Sequence, residues 1–432
     1  MASVIPFKGV LYNPDKVSGD KVLAPPYDII SPEMRELLYQ NSPYNIVRID
    51  FGRKMPDDTT GNNRYTRARD YLEQWIQDGI LFNDDRPSFY AYEIEYEIFG
   101  EHKKLRGLLS LVKIEELGKG IYPHEATYSK PKADRLNLMK TCLSNVSPIY
   151  SLYNSSKKIT SQILASTRGK PSISGRDAGG AFHKLYRISD PLHIESVANE
   201  LADRSIYIAD GHHRYEVALE FKKMMDSVGE QPAVEKKIGI QLEQPSSGST
   251  PKPWDYVMMF LANMADDGIA ILPTHRLVKG TSPKNDILDK LRPAFIIRKL
   301  DMDGDIAKVL LREGKNTLGL YLGGEKAGYL LKYRGNELSD VHPALRDLDV
   351  VILQELILKR DLGIDNIAYE MDIKSAIKRV RAGEFSATFF LNATTVEDVE
   401  KVALANLRMP PKSTYFYPKL LTGMVINRFR NF

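Results

Sequence analysis

The strongest constraint in this 432-residue sequence is an apolar segment that runs directly into a glycine turn and then into a helical pattern. Residues 205–209 have the composition of a buried strand, and Asp210 and Gly211 form the turn. Over residues 212–226 apolar side chains recur at intervals of three and four, which predicts an amphipathic helix. A strand, a tight turn and a helix start together place backbone N–H groups where they can hold an anion.

The side chains at this turn suit the chemistry of a phosphate. Gly211 lets the backbone approach a ligand, Arg214 can fork onto phosphate oxygens, and His212 and His213 can each donate a further hydrogen bond. Asp210 beside them could bind a metal or accept a proton, so the segment predicts a phosphoryl-transfer site. The alternative is an ordinary helix cap, with Asp210 as N-cap and Arg214 in a surface salt bridge. Spacing alone leaves both open.

Strand-like and helix-like segments alternate along the chain, which predicts an α/β or α+β fold with mixed sheets and packed helices. Alternation over residues 89–99, a turn at Gly100 and an apolar run over 104–114 predict a β-hairpin. β-Branched residues within 45–50 favour another strand, and the polar, proline-containing segment 118–135 favours a loop.

The best candidate for a linker is the segment 243–254, which is rich in Pro, Ser and Gly. It predicts a boundary between an N-terminal α/β region, residues 1–242, which carries the Asp-Gly-His-His-Arg box, and a C-terminal α/β region, residues 255–432. The same composition also fits a long loop inside one domain.

Composition excludes several classes of function. Hydrophobic residues make up 43% of the chain and charged residues 27%, as in a folded protein, and the formal charge of +4 gives nucleic-acid binding no support. The single cysteine, Cys142, excludes an intramolecular disulfide and any zinc site built on several thiolates. There is no secretory signal pattern and no run of about 18 apolar residues, so we expect a cytoplasmic protein without a membrane span.

A second cluster of chemically active residues lies in the segment predicted to be a loop. Glu125 is a possible general base, and three cations follow it closely, Lys130, Lys132 and Arg135. Loops held by a rigid scaffold often carry catalytic groups, although a run of charges is more often a solvated surface.

Three shorter motifs add candidates. They are a rigid Ala-Pro-Pro-Tyr-Asp turn, a His-Arg pair at a predicted strand end, and a poorly helical Pro-Pro-Lys-Ser-Thr segment that could cradle a phosphate or seal the core. The residues that they contribute as candidates for substrate binding, beside the three cations above, are Asp28, His275, Arg276, Lys412, Ser413 and Thr414. The sequence does not say whether His275 and Lys412 reach the same pocket as Arg214.

Six ordered boxes together resemble the family catalogued as domain of unknown function 1015, over residues 5–430. They are Ala-Pro-Pro-Tyr-Asp at 24–28, His-Glu-Ala-Thr at 124–127, Lys-Ala-Asp-Arg at 132–135, Asp-Gly-His-His-Arg-Tyr at 210–215, Leu-Pro-Thr-His-Arg at 272–276 and Pro-Pro-Lys-Ser-Thr at 410–414.

The Asp-Gly-His-His-Arg box is also similar to the phosphate-gripping turn of the ParB/sulfiredoxin superfamily, which includes free serine kinases. This resemblance implies a ParB/sulfiredoxin-like core with a further α/β region, and nucleotide phosphates held by Gly211, His212, His213 and Arg214. It implies Asp210 and, less directly, Glu125 as catalytic carboxylates. Sulfiredoxins carry a cysteine inside the box, whereas this chain has two histidines there, so reduction of sulfinic acids is not expected.

These observations lead to two hypotheses. The first is a kinase-type phosphotransferase that uses ATP or ADP with Mg²⁺ and a small hydroxyl metabolite, with free serine or phosphoserine as the leading candidate. The second is a non-catalytic, ParB-like regulatory protein that binds a nucleotide without turnover. Neither needs a membrane or a nucleic acid as partner. The acceptor, the direction of transfer, the preferred nucleotide, the metal ligands and the oligomeric state stay open.

Overall fold

The structure is a computed structural model, and it describes residues 3–125, 129–166, 169–229, 251–280, 284–302 and 304–432. The chain divides into two compact units. The first comprises Met1–Tyr122, Thr127–Ile269 and Pro418–Phe432, and the second comprises Pro123–Ala126 and Ala270–Tyr417. Strands and helices are mixed throughout both, which confirms the predicted α/β or α+β class.

The strands have the following bounds: β1 (Val4–Ile5), β2 (Val10–Tyr12), β3 (Leu81–Asn83), β4 (Phe89–Ile98), β5 (Glu101–Lys113), β6 (Ile121–Pro123), β7 (Ser144–Asn145), β8 (Ile149–Tyr153), β9 (Ile173–Arg176), β10 (Phe182–Ile188), β11 (Ile206–Asp210), β12 (Tyr256–Asn263), β13 (Ala270–Leu272), β14 (His275–Val278), β15 (Phe295–Leu300), β16 (Thr317–Leu322), β17 (Gly328–Tyr333), β18 (Ile367–Glu370), β19 (Ala387–Phe390), β20 (Tyr415–Tyr417) and β21 (Asn427–Arg428).

The α-helices have the following bounds: α1 (Gly19–Val22), α2 (Pro32–Asn41), α3 (Val47–Asp50), α4 (Arg64–Gln77), α5 (Ser129–Cys142), α6 (Ile159–Ser166), α7 (Pro191–Leu201), α8 (His212–Gly229), α9 (Lys284–Leu291), α10 (Ile306–Glu313), α11 (Asp349–Val351), α12 (Ile373–Arg381) and α13 (Val396–Leu404). A π-helix, Ile352–Asp361, continues α11. Within the described ranges, no helix is both long and apolar enough to cross a membrane.

The first unit is built on a nine-stranded sheet with the order β6-β11-β8-β12-β5-β4-β10-β9, and β1 pairs with β5 at its side. The β4–β5 hairpin confirms the sequence prediction. Its two-residue turn places Phe99 and Gly100 at φ 53° and 79°, the combination that matches the twist of the flanking strands. Helix α8 packs Val217, Ala218 and Phe221 into the core beside this sheet, so the sheet and the core fix the position of its first turn.

The structure divides the chain at positions other than the predicted linker. Strand β12, which follows that segment, pairs antiparallel with β5 and parallel with β8 near the centre of the first sheet. Its eight residues are all buried, so its side chains are covered on both faces of the sheet. The first unit therefore continues to Ile269 and takes back residues 418–432 from the C-terminus. Of the predicted linker, residues 243–250 lie outside the described residues.

Two local predictions are wrong. Residues 45–50 form no strand, because the Asn45 side chain accepts a hydrogen bond from the Val47 N–H at 3.0 Å and starts the single-turn helix α3. The predicted loop 118–135 contains β6 and the first half of α5. The charges of α5 made it resemble a loop, since its buried apolar residues Leu138 and Met139 come only after them.

The second unit contains a six-stranded sheet with the order β15-β17-β16-β19-β14-β18. Helices α10 and α12 pack against it through Leu310, Ala376 and Val380, which share a buried cluster with Leu277 and Phe390. Strands β13 and β20 form a separate two-stranded ribbon. Strand β13 precedes β14 in the chain, and β20 begins directly after the Pro-Pro-Lys-Ser-Thr segment.

Candidate functional site

The β11–α8 junction has the predicted strand–turn–helix geometry. Gly211 lies at φ 94°, a left-handed backbone conformation that favours glycine, and its carbonyl accepts the first helical hydrogen bond from the Tyr215 N–H at 3.1 Å. A Cβ at Gly211 would meet the Arg214 guanidinium at 2.9–3.0 Å. Arg214 thus lies folded over the glycine at the beginning of an 18-residue helix.

Arg214 is held in this position without a carboxylate. Its Nη1 donates to the Pro148 carbonyl, and in the part of the chain that the structure describes no Asp or Glu oxygen lies within 4.0 Å of its guanidinium. A half-exposed guanidinium at a helix N-terminus that none of the described carboxylates contacts directly is suited to bind an anion.

Each carboxylate oxygen of Asp210 accepts a hydrogen bond. Its Oδ1 accepts from the Gly211 N–H at 2.8 Å, and its Oδ2 accepts from Lys419 Nζ at 2.9 Å. Burial alone would raise the pKa of this carboxyl, but Lys419 and Arg214 outweigh it and hold the pKa well below its usual range. Asp210 is therefore ionised at neutral pH.

A buried ion-pair network lies beside the junction. Arg135 of α5 donates from Nη1 to Asp50 Oδ1 at 2.8 Å and from Nη2 to Asp134 Oδ2 at 2.6 Å, and its guanidinium lies 3.9 Å from the centre of the Tyr27 ring. Arg64 of α4 in turn donates to Asp134. The network joins α3, α4, α5 and the Ala-Pro-Pro-Tyr-Asp turn.

Asp50 is the functional candidate that the sequence prediction missed. It is 2% exposed, and its Oδ2 has no hydrogen-bond partner among the described residues. It lines a cavity of about 30 Å³ together with Arg135 and Arg214, a space for one or two water molecules. Burial raises the pKa of Asp50, which Arg135 and Arg214 partly offset. The available signal was the position of Asp50 directly after Ile46, Val47 and Ile49, three apolar residues whose burial would draw the neighbouring carboxylate inward.

We call these residues the Arg214 cluster: Asp50, Arg64, Asp134, Arg135, Asp210, Arg214 and Lys419. Four cations face three carboxylates in it, so the cluster carries one excess positive charge. An excess positive charge in a partly desolvated setting favours binding of an anion.

The remaining candidates of the first unit have more ordinary environments. Asp28 is exposed on a single turn, Tyr27–Ile29, and His212 is buried whereas His213 is half-buried. Lys132 pairs with Glu216 of α8 at 2.6 Å, which links α5 to α8. The side chain of Lys130 lies outside the described residues.

In the second unit, Glu125, Arg276, Lys412, Ser413 and Thr414 come together, and we call them the Arg276 cluster. Glu125 Oε1 accepts from the Lys412 N–H at 3.1 Å. The Thr414 hydroxyl lies 2.9 Å from Nε2 of His124, and Ser413 Oγ donates to the Pro410 carbonyl at 2.5 Å.

Arg276 is a buried side chain that binds the backbone of the Pro-Pro-Lys-Ser-Thr segment. It is 2% exposed and donates to the Pro411 and Lys412 carbonyls at 3.4 and 3.1 Å and to the carbonyl of Thr274. Burial lowers the pKa of Arg276 to about 10. The neighbouring His275 is fully buried, accepts from the Leu391 N–H at 3.3 Å, and has its pKa lowered to about 4 by burial and then by Arg276.

The predicted site residues are thus distributed over both units, with Asp210 in the first and Glu125 in the second. His/Cys/Asp/Glu groups of three or more that could hold a metal ion are absent from the described ranges. Of the predicted phosphate-binding residues, Gly211 has the left-handed backbone of the turn, and the Arg214 guanidinium lies beside it.

The family model of DUF1015, described as proteins of unknown function, matches residues 4–351. The chain belongs to the DUF1015 family. The match covers five of the six boxes, and the Pro-Pro-Lys-Ser-Thr box at 410–414 lies beyond its end. No curated protein matches this member of DUF1015.

Solved structures resemble this DUF1015 member at 10–12% identity. A conserved hypothetical protein from Pyrococcus furiosus has 12% identity and a TM-score of 0.35, covering 76% of this chain and 97% of that chain. A free serine kinase in complex with AMP has 12% identity and a TM-score of 0.34, covering 72% and 86%. SbnI from Staphylococcus aureus, truncated at its C-terminus, has 10% identity and a TM-score of 0.33, covering 73% and 85%.

Proposed function

We propose that this protein is a phosphotransferase that moves a phosphoryl group between a nucleotide, ATP or ADP, and a small hydroxyl metabolite. The observation that carries the proposal is Arg214, whose guanidinium lies beside Gly211 at the start of α8 and forms no salt bridge within 4.0 Å with the described carboxylates. The excess positive charge of the Arg214 cluster supports an anionic ligand at the same place. The resemblance of the Asp-Gly-His-His-Arg box makes free serine, or phosphoserine in the reverse direction, the leading acceptor.

In this proposal the residues at the junction have separate tasks. The phosphate lies on the first turn of α8, where the helix dipole and Arg214 offset its charge, and His212 and His213 donate further hydrogen bonds. Mg²⁺ bound with the nucleotide would supply Lewis-acid polarisation of the phosphate oxygens. Asp210, ionised and next to the phosphate position, is the candidate to hold that ion.

The proton of the hydroxyl substrate needs a different acceptor. A carboxylate whose pKa lies well below the usual range is a weak base at neutral pH, which disfavours Asp210 for this step. Glu125 is the remaining carboxylate among the predicted catalytic residues, and we assign the proton-accepting role to it. A nucleotide-binding regulator would need Arg214 and its neighbours but no such base.

Phosphorus NMR of the purified protein with Mg²⁺ tests the reaction directly. One sample contains ATP or ADP with L-serine, and the other contains phosphoserine with ADP. We expect a phosphoserine signal to grow in the first or to decay in the second, with a matching nucleotide or phosphate signal. No change in either sample, with folded protein, removes serine as the acceptor.

Three variants separate the roles. Arg214→Gln should weaken nucleotide binding by about tenfold or more, the effect of losing a charge-assisted hydrogen bond. Lys223→Gln is the matched control, because Lys223 lies on the same helix, is exposed, and pairs with Glu116 at 2.9 Å. Glu125→Gln should abolish turnover and keep nucleotide binding. Unchanged nucleotide binding in Arg214→Gln contradicts the phosphate position, and unchanged turnover in Glu125→Gln contradicts the proposed base.

A further inference from the structure

A buried carboxylate oxygen lies beside two guanidinium groups in the first unit. Asp50 Oδ2 accepts no hydrogen bond from the described residues, and Asp50 lines the cavity of about 30 Å³ together with Arg135 and Arg214. Arg135 bonds the other oxygen of Asp50, Oδ1, at 2.8 Å. A space for one or two water molecules is too small for a phosphate, so an anion bound by Arg214 lies outside this cavity.

Arg214 faces both the cavity and the turn before α8. It is one of the residues that line the cavity, and its Nε, Cζ and Nη2 atoms lie 2.9–3.0 Å from the place of a Cβ at Gly211. The same guanidinium is therefore close to the buried carboxylate and to the first backbone N–H groups of the helix. Those N–H groups are the position proposed above for the phosphate.

The ionised form of Asp50 depends on Arg214. Burial raises the pKa of Asp50, and Arg135 and then Arg214 lower it in part. Among the described residues, the titratable and charged groups that reach Asp50 directly or through Asp134 are Arg64 of α4, Asp134, Arg135 and Cys142 of α5, Arg214 of α8, and Tyr27 of the turn before α2.

A negative charge bound beside Arg214 changes this balance. The guanidinium would then compensate two anions, the ligand and Asp50, and the two anions would also repel each other. Arg135 cannot take over the whole task, because it also bonds Asp134. The protonated form of Asp50 therefore becomes more favourable when the anion is bound.

We infer that a bound anion competes with the ionised Asp50 for the Arg214 guanidinium, so that anion binding is linked to the uptake of a proton by Asp50. Such a linkage is reciprocal, so protonation of Asp50 strengthens anion binding by the same factor. Asp50 is then a positioning residue, which acts on the phosphate through Arg214. The inference rests on the phosphate position of the proposed function, but not on the transfer of a phosphoryl group.

The test uses sulfate as the probe, a tetrahedral dianion whose charge does not change at neutral or weakly acidic pH. NMR of the arginine Nε–H groups of the full chain follows binding at constant ionic strength, and Arg214→Lys assigns the Arg214 signal by its loss. At neutral pH, Asp50→Asn should bind sulfate about fivefold more tightly than the wild type, or more, as is typical of coupling between two sites.

Asp58→Asn is the matched control. Asp58 pairs with Arg67 at 2.6 Å in the same unit, so this variant removes one carboxylate from an arginine outside the Arg214 cluster. Its sulfate affinity should equal that of the wild type. A similar gain in both variants would assign the effect to net charge alone and would contradict the inference.

Carboxyl-carbon NMR of Asp50 in the wild type measures the reciprocal effect without a substitution. The pKa of Asp50 should be higher with saturating sulfate than without it. The sulfate affinity of the wild type should also rise as the pH falls. This rise should be smaller in Asp50→Asn, which keeps only the contribution of the neighbouring histidines, His212 and His213.

Three results overturn the inference: equal or weaker sulfate binding in folded Asp50→Asn, an Asp50 titration that saturating sulfate leaves in place, and an Arg214 signal that sulfate does not move. Phosphorus NMR distinguishes these failures from a failure of the proposed function. Turnover without linkage to Asp50 contradicts this inference alone, whereas linked sulfate binding without turnover contradicts only the proposed transfer.

Discussion

Each of the two units buries an arginine almost completely. The groups that offset the unfavourable burial of the charge differ between them. Arg135 of the first unit is 6% exposed and bonds the carboxylates of Asp50 and Asp134. Arg276 of the second unit is 2% exposed, and among the described residues its hydrogen bonds go to backbone carbonyls, those of Thr274, Pro411 and Lys412.

The pKa values express this difference. Burial alone would lower the pKa of Arg135, but Asp50 and Asp134 outweigh burial and raise it. The pKa of Arg276 falls to about 10, because Tyr369 and Glu125 offset burial only in part. Carboxylates make a buried guanidinium part of an ion-pair network, whereas carbonyl dipoles hold it in place and leave its charge largely uncompensated.

The largest expected effect is the loss of folding stability in the variant Arg135→Met. The change leaves the Asp50 carboxylate buried, with neither oxygen bonded to a guanidinium, and removes a partner of Asp134. Breaking a buried ion pair from one side costs about 3–5 kcal/mol, so the free energy of unfolding should fall by that amount in urea denaturation at neutral pH. Adding Asp50→Asn to the same chain should recover part of the loss.

Arg276→Met is the matched comparison for this prediction. It leaves three carbonyls without their donor but also removes a charge whose burial is unfavourable, so we expect a smaller loss of about 1–3 kcal/mol. Equal losses in the two variants would mean that the carbonyl dipoles compensate Arg276 as well as carboxylates compensate Arg135.

The next expected effect is a pH dependence of folding stability that comes from His275 in the second unit. His275, beside Arg276, has a folded-state pKa of about 4, against an ordinary value of 6.5. Between these values the unfolded chain binds a proton that the folded chain does not, so stability falls as pH falls from about 6.5 to about 4. The loss is on the order of 3 kcal/mol from this group, at about 1.4 kcal/mol per pH unit.

Urea denaturation of the wild type and of His275→Gln across this window provides the measurement. Burial also lowers the pKa of His183 in the first unit, so the wild type contains both contributions. The variant should show a flatter profile, and the difference between the two profiles isolates His275. Parallel profiles would mean that His275 is protonated in the folded protein.

The sequence predicted the local part of the Arg214 cluster and missed the long-range part. Strand β11 and helix α8 begin within a residue of their predicted starts, because apolar spacing and the glycine turn are local signals. Asp50 was missed because its β-branched neighbours favoured a strand, whereas the Asn45 side chain bonds the Val47 N–H where a helical turn begins. The Asp210–Lys419 pair joins residues 209 positions apart, a separation that no spacing rule reaches.

The same limit applies to α5 and to the division of the chain. Charges in 129–135 favoured a loop, yet Lys132 and Arg135 find their partners on α8 and α3. The composition of 243–254 favoured a boundary, while the pairing of β12 with β5 and β8 keeps the following strand in the first unit. In both cases contacts with distant parts of the chain determine the structure, and local composition does not identify those partners.

The smallest expected effect tests how the Arg214 cluster holds Asp210 ionised. Lys419→Gln keeps a hydrogen-bond donor but removes the charge, so stability should fall by only about 1 kcal/mol. The pKa of Asp210 should rise toward its ordinary value, because burial then opposes Arg214 without Lys419. Carboxyl-carbon NMR of Asp210 during acid titration measures this directly. An unmoved titration would show that Arg214 and His212 hold Asp210 ionised without Lys419, and would make Arg214 an electrostatic partner of both Asp210 and the phosphate proposed beside it.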